Sequence, residues 1–87
     1  MPPSKPIRLT KHAVEQCAER GTNEEEVRKA IGAGQRERAK RGRLIYRHNF
    51  QYNSRWRGKT YAIKQVAPVV VEEQHEIVVI TVYTFYF

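Results

Sequence analysis

The first part of the chain places its apolar residues with the period of an α-helix. Small apolar residues lie at the i, i+3 and i+4 positions of one stripe: Ala13, Val14, Cys17 and Ala18. This spacing predicts a helix over about 11–20. Thr10 is expected to be its N-cap, and Gly21 the left-handed residue that ends it.

A second helix is predicted to follow at once and to end at Gly34. Its buried face consists of Val27, Ala30 and Ile31. Asn23 followed by Glu26 has the spacing of a capping box, and Thr22 followed by Glu25 offers the same spacing one residue earlier. The first 34 residues therefore predict two short, successive helices.

From about residue 35 the period changes to two, which is typical of β-strands. Arg36 to Ala39 favours a short edge strand, and residues 44–52 alternate strictly. Asn53-Ser54 and Gly58 are expected to bracket a loop or a wide hairpin turn.

A second long strand is predicted over 59–72, and Pro68 inside it indicates a sheet edge, a bulge or a break. Residues 73–76 then turn the chain. Residues 77–87 are apolar on both faces, as in a central strand.

These elements predict an α+β fold in which two N-terminal helices pack on one face of a three- to four-stranded antiparallel sheet. The prolines of residues 1–6 predict a disordered arm, followed by a single domain over 7–87. The other face of the sheet needs a cover of aromatic side chains, a ligand or a second subunit.

The charge is concentrated in one stretch of the chain. The 87 residues carry 16 basic and 9 acidic side chains, a net charge of +7. Residues 35–64 hold ten basic residues and one acidic residue, a net charge of +9. Such a block attracts polyanions, of which nucleic acid is the usual one. An acidic protein partner and a merely solvated basic face are the alternatives.

The candidate nucleic-acid contacts are basic residues of this block together with its tryptophan: Arg41, Arg43, Arg47, Arg55, Trp56, Arg57, Lys59 and Lys64. Trp56 between two arginines offers a stacking plane with phosphate clamps beside it. The alternative is an indole that folds back over the sheet.

Other classes of protein are disfavoured by the composition. One cysteine cannot form an intramolecular disulfide, and the three histidines lack the spacing of metal ligands, so we expect neither a metal nor another cofactor. No stretch approaches the roughly 20 apolar residues of a membrane span, and no secretory signal is visible. We expect a soluble, cytoplasmic protein without a membrane partner.

His12 is the first candidate for catalysis, because it lies in the first turn of the first predicted helix. The i, i+4 spacing places Gln16 and then Arg20 near the same side. A histidine can move a proton and an arginine can hold a phosphate, which is equipment for cleaving RNA through its own 2′-hydroxyl. The alternative is that His12 caps the helix and that Arg20 pairs with an acidic neighbour.

The last strand supplies a second candidate group. Thr81 and Tyr83 share a sheet face, with Phe85 and Phe87 further along. A hydroxyl pair flanked by aromatic rings could bind phosphate and stack a base. Ordinary β-propensity explains the same residues equally well.

The ends of the chain carry a family resemblance. Residues 9–13 (LTKHA), Glu19-Arg20-Gly21 and residues 77–83 (IVVITVY) resemble the T-x-H-A, E-R-G and V-x-T-V-Y motifs of a bacterial family of small domains of unknown function. Such domains are similar to RelE/ParE-type toxins and to the wider barnase–EndoU–colicin–RelE-like fold. Gln16 and Cys17 depart from the arginine or methionine of many relatives.

The resemblance implies a metal-independent endoribonuclease of a toxin–antitoxin system, with His12, Arg20, Thr81 and Tyr83 as catalytic residues. It implies RNA, free or on the ribosome, and an acidic antitoxin as partners. The aromatic C-terminal strand further suggests a homodimer. A non-catalytic nucleic-acid-binding module and a protein-interaction domain remain the alternatives.

Overall fold

A computed structural model describes residues 5–87. Its helices and strands follow in this order: β1 (Ile7–Leu9), α1 (Lys11–Glu19), α2 (Glu24–Ala33), β2 (Gln35–Arg38), a 3-10 turn (Lys40–Gly42), β3 (Leu44–Trp56), β4 (Lys59–Glu72) and β5 (Ile77–Tyr86). The helices span nine and ten residues, and within 5–87 no helix is long and apolar enough to cross a membrane.

The predicted ends of both helices are confirmed. Thr10 caps α1, since its Oγ1 accepts from the N–H of Ala13 at 3.1 Å. Gly21 follows α1 with a φ of 75°. Asn23 caps α2 by accepting from the N–H of Glu26 at 2.8 Å.

The capping box is only half formed, because the Glu26 carboxylate turns away from the Asn23 N–H. It accepts instead from the hydroxyl of Thr22 at 2.8 Å and pairs with Lys64. The carboxylate thereby joins the start of α2 to the sheet.

The sheet corrects the predicted one. It has five strands in the order β1-β5-β4-β3-β2, and β1 pairs with β5 in parallel. A three-residue strand is too short to show a period of two, and its partner lies at the far end of the chain. The sheet is therefore mixed, although α+β and the two helices on one face are as predicted.

The predicted disordered arm is also corrected in part. Residues 1–4 of that arm lie outside the described residues. Lys5 donates to the carboxylate of Glu72 at 3.2 Å, and the oxygen of Pro6 accepts from the N–H of Ile77 at 2.9 Å. These bonds fix the approach to β1.

The predicted loop after residue 52 is absent, because β3 runs on to Trp56. Asn53, with a φ of 47°, lies in a bulge where the register with β4 shifts. The turn consists of Arg57 and Gly58, whose φ angles of 50° and 86° fit a two-residue hairpin turn. Arg55 and Trp56 thus belong to the part of β3 that pairs with β4.

β4 has the predicted bounds. Pro68 lies near a bulge, which was one of the three predicted alternatives. Val69 pairs with Thr81 and Val70 with Val79, which leaves Ile80 of β5 unpaired. β5 is central only at its start, since β1 pairs with Ile77–Val79 alone.

The core lies between the helices and one face of the sheet. Its buried residues come from both helices and from strands β3, β4 and β5: Ala13, Cys17, Val27, Ala30, Ile31, Tyr46, Val66, Val70, Ile77, Val79 and Val82. A Cβ on Gly34 would lie 2.6 Å from the main-chain oxygen of Arg47, so α2 ends in direct contact with β3. The opposite face of the sheet, called the open face below, carries Arg47 and exposed aromatic rings.

Candidate functional site

Helix α1 takes the place of a strand along the part of β5 that β1 leaves uncovered. Oε1 of Gln16 accepts from the N–H of Val82 at 2.9 Å and from the hydroxyl of Thr81. Residues 80–86 pair with no strand on this side within the described chain. We call this side the open edge of β5. Gln16 accepts a hydrogen bond from one of its main-chain N–H groups, that of Val82.

The end of α1 is fastened to the same edge through Arg20. Its main-chain oxygen accepts from the hydroxyls of Thr84, at 2.9 Å, and Tyr86, at 2.7 Å. Its guanidinium lies 5.1 Å from the ring centroid of Tyr83. Thr84 and Tyr86 belong to the helix side of β5 and Tyr83 to the open face, so the Arg20 side chain passes round the open edge.

The tip of the β3–β4 hairpin meets the end of α1. Trp56 stacks on Tyr86 with centroids 5.0 Å apart, and the Arg57 guanidinium lies 5.1 Å from the indole. Nη2 of Arg57 donates to the main-chain oxygen of Glu19 at 3.1 Å. The indole therefore folds back onto the protein, which was the alternative to a free stacking plane.

A cleft of about 350 Å³ lies between these elements. Its lining combines the end of α1 with the hairpin tip: Glu19, Arg20, Trp56, Arg57, Thr84 and Tyr86. Burial raises the pKa of the Tyr86 hydroxyl, so it remains a neutral donor to the Arg20 oxygen near neutral pH. Arg57 supplies a guanidinium beside this cleft, Glu19 adds a carboxylate to its lining, and the main-chain oxygens of Glu19 and Arg20 are already occupied by donors.

The cations around the cleft form no ion pair with another residue of the described range 5–87. The ion pairs found within residues 5–87 are Lys5–Glu72, Arg8–Glu76, Arg28–Glu24, Arg47–Glu37 and Lys64–Glu26. Arg20, Arg55, Arg57 and Lys59 therefore have no carboxylate within 4.0 Å in that part of the chain. The predicted alternative, in which Arg20 pairs with an acidic neighbour, is not what the structure shows.

Lys64 is removed from the predicted nucleic-acid contacts. Its side chain is 9% exposed, its Nζ lies 2.7 Å from Oε1 of Glu26, and it donates to the oxygen of Gly21 at 2.9 Å. A buried, paired ammonium cannot reach a phosphate. Lys64 instead holds the turn between the helices against the sheet.

The remaining basic residues do not form one continuous patch. Arg41 and Arg43 lie before β3, and Arg55 lies at its other end. From Arg43 to Arg55 the strand extends roughly 40 Å at about 3.3 Å per residue. Arg47 lies between them on the open face, where it pairs with Glu37 at 3.1 Å. The hairpin tip, residues 55–59, is the basic end next to the cleft.

His12 and Arg20 lie at opposite ends of α1. His12 is exposed in the first turn of α1, which Thr10 caps. Arg20 follows eight residues later, about 12 Å along the helix axis. The fold thus brings Arg20 against Tyr83 at the open edge of β5, and Gln16, one helical turn after His12, bonds Thr81.

The role of Gln16 at the edge of β5 was not predicted from the sequence. The residue is buried and lies on the apolar stripe between Ala13 and Cys17. Buried polar side chains need hydrogen-bond partners, so a glutamine in that stripe signals a contact with an unpaired main chain. Burial also raises the pKa of the neighbouring Cys17 thiol, which disfavours its thiolate form.

A larger open groove, of about 940 Å³, lies beside α2 and Phe50. Its charged lining mixes both signs: Glu25, Glu26, Arg28 and Lys29. None of the predicted catalytic or nucleic-acid-binding residues borders it. Within residues 5–87, no three His, Cys, Asp or Glu side chains come together as metal ligands would.

One comparison with known proteins finds a match. The model of a family described as a domain of unknown function (DUF4258) matches residues 9–84. That range includes α1, both long strands and most of β5. No curated protein and no solved structure matches the chain.

Proposed function

The chain belongs to the DUF4258 family of domains of unknown function, and we propose that it binds RNA and cleaves it without a metal ion. The observation that carries the proposal is the Arg20 guanidinium, placed 5.1 Å from the ring of Tyr83 with no carboxylate partner among residues 5–87. A free guanidinium beside an exposed hydroxyl is a charge clamp next to a proton donor.

The reaction that suits these groups uses the nucleophile of RNA itself. The 2′-oxygen attacks the adjacent phosphorus, its proton passes to water, and the bond to the 5′-oxygen breaks. Arg20 stabilises the negative charge that builds on the phosphoryl oxygens. Tyr83 donates a proton to the departing 5′-oxygen and regains one from solvent. The products are a 2′,3′-cyclic phosphate and a 5′-hydroxyl.

The other residues of the predicted site have supporting parts in this proposal. Thr81 and Gln16 hold the bulged start of the open edge in place. Arg57 and the hairpin tip bind phosphates next to the reacting one. His12, about 12 Å along α1 from Arg20, contacts a flanking phosphate, so it affects binding more than the chemical step.

The proposal is tested by incubating the purified protein with RNA in EDTA and analysing the ends of the products. Cleavage with cyclic phosphate ends is expected, and RNA methylated at the 2′-oxygen stays intact. Arg20→Ala should lower kcat by about 100-fold, the cost of losing one transition-state donor. His12→Ala should leave kcat within a few-fold.

Arg28→Ala is the matched control, because Arg28 lies on α2 and pairs with Glu24. It should cleave like the parent chain. If RNA is bound but never cleaved, the chain is a nucleic-acid-binding module and not an enzyme. If cleavage survives Arg20→Ala, Arg20 does not take part in the reaction.

A toxin of a toxin–antitoxin pair is the cellular setting that we propose for this activity. The unpaired cations of the hairpin tip and the cleft suit an acidic inhibitor that occupies the RNA site. Expression of the chain should arrest bacterial growth, and expression of Arg20→Ala at the same level should not. Arrest by both proteins, or by neither, contradicts this setting.

A further inference from the structure

Three exposed aromatic rings lie in a row on the open face of β5. Tyr83, Phe85 and Phe87 are 41%, 44% and 58% exposed. Val82, directly before them, is fully buried in the helix-side core, and Thr84 and Tyr86, which alternate with the rings, bond the end of α1. The alternation of a strand therefore places the three rings on the face opposite to the helices. We call them the aromatic ladder.

Guanidiniums accompany two of the three rings. The Arg20 guanidinium lies 5.1 Å from the centroid of Tyr83, and that of Arg47 lies 5.6 Å from the centroid of Phe85. Arg47 is itself oriented by Glu37 and by Gln65, whose Oε1 accepts from Nη1 at 3.1 Å. Each guanidinium lies over one face of its ring, which leaves the other face for a base and places a counter-charge near the phosphate of that base.

The spacing of the ladder selects the form of the RNA. Alternate residues of a strand lie about 6.8 Å apart, at about 3.4 Å per residue. Successive bases of a DNA duplex rise by about 3.4 Å per strand, half of that distance, and those of an A-form RNA duplex rise by no more than that. One base per ring thus requires a strand whose bases are unstacked from one another, which a duplex does not provide.

We propose that the aromatic ladder binds three consecutive bases of single-stranded RNA, one on each ring, with the base nearest the cut on Tyr83. The inference rests on the proposed function, because Arg20 joins the ladder to the cleavage site. Phe85 and Phe87 then hold the two nucleotides on one side of the reacting phosphate. The domain cleaves only where at least those nucleotides are unpaired.

The charge of this face favours RNA over a second copy of the chain. The protein carries a net charge of +7, and Arg20 and Arg47 both lie against ladder rings. Of these two, Arg47 is paired with Glu37, so the charge that opposes the pairing of two ladders is that of Arg20. A polyanion turns the same charges into attraction.

The test measures binding of a 2′-O-methyl oligonucleotide of eight nucleotides, which the proposed reaction cannot cleave, as a single strand and as a blunt duplex. Phe85→Leu and Phe87→Leu should each weaken single-strand binding by about 5- to 150-fold, the range for loss of one base–aromatic stack. Duplex binding should be weaker and unchanged by either substitution. On cleavable RNA, both variants should raise KM with kcat kept.

Val14→Ala is the control, since Val14 is 48% exposed on α1 and lies outside the ladder. Melting temperatures confirm that each variant folds. Tight single-strand binding that ignores both leucine variants overturns the ladder and leaves the proposed cleavage intact. Sedimentation as a dimer that Phe85→Glu dissociates also overturns it, and assigns the face to a second copy. Loss of all RNA binding and cleavage in the parent chain refutes the proposed function itself.

Discussion

Nζ of Lys64 donates a hydrogen bond to the main-chain oxygen of Gly21 across 2.9 Å, and this contact ties the turn between the helices to the middle of the sheet. The same ammonium lies 2.7 Å from the Glu26 carboxylate. Because Arg20 directly precedes Gly21, the buried lysine also sets where the Arg20 guanidinium leaves the helix.

Lys64→Met should destabilise the fold by about 2–3 kcal/mol, somewhat below the cost of breaking a fully buried pair, because Glu26 is partly exposed. Urea unfolding measures the loss. Lys59→Met at the exposed hairpin tip is the control and should cost almost nothing. Adding Glu26→Gln to Lys64→Met should recover part of the loss, and no recovery would contradict an unpaired carboxylate as its cause.

Gly21→Ala should cost about 2–4 kcal/mol, combining a left-handed alanine with overpacking. Gly21 has a φ of 75°, and a Cβ there would lie 2.5 Å from the Tyr86 hydroxyl oxygen and 2.6 Å from the Trp56 ring. Gly42→Ala is the matched control. Its φ is 71° but nothing lies within 4 Å, so about 1 kcal/mol is expected. Equal melting temperatures for the two variants would argue against close packing at Gly21.

The attachment of β1 should weaken in acid. The hydrogen bond from Arg8 to the Glu76 carboxylate lowers the pKa of Glu76 below its ordinary value of 4.5. A carboxyl with a lowered folded-state pKa stabilises the fold above that ordinary value, and the contribution disappears as the pH falls through the folded pKa. Hydrogen exchange of the Ile7–Leu9 amides should therefore show loss of protection below about pH 4.5. Arg8→Gln should remove that pH dependence while β1 still pairs with β5.

The salt dependence of RNA binding should identify the phosphate contacts. For single strands, log K falls against log salt with a slope of about −0.7 per neutralised phosphate. Arg57→Gln at the cleft should make the slope shallower by about 0.7. Arg28→Gln on α2 should not change it. An unchanged slope for Arg57→Gln would remove the hairpin tip from the RNA site.

Most of the local structure was predictable because its causes lie within a few residues. Thr10 and Asn23 cap the helices that follow them, and the bounds of β4 match the predicted strand. β1 was not predictable, since three residues show no period and their partner is β5. The extension of β3 past residue 52 was missed because Asn53 suggests a turn, whereas it occupies a bulge.

The candidate site was predictable in its residue types and not in its arrangement. Helical spacing and the family motifs singled out Arg20, strand alternation and the same motifs singled out Tyr83, and the basic block singled out Trp56. They could not tell that Trp56 stacks on Tyr86, or that Lys64 is buried against Glu26. Both outcomes depend on which strands lie next to each other.

By itself, the sequence determined two capped helices, the alternation of the long strands and a basic block that carries most of the charge. Only the tertiary structure decided that this block is spread along β3 without forming one patch, and that Arg20 meets Tyr83 at an edge left open by a three-residue strand. The physical reason is the distance along the chain over which each interaction acts. Caps and periods act over a few residues, whereas strand register and edge coverage depend on bulges, turns and pairings between distant segments.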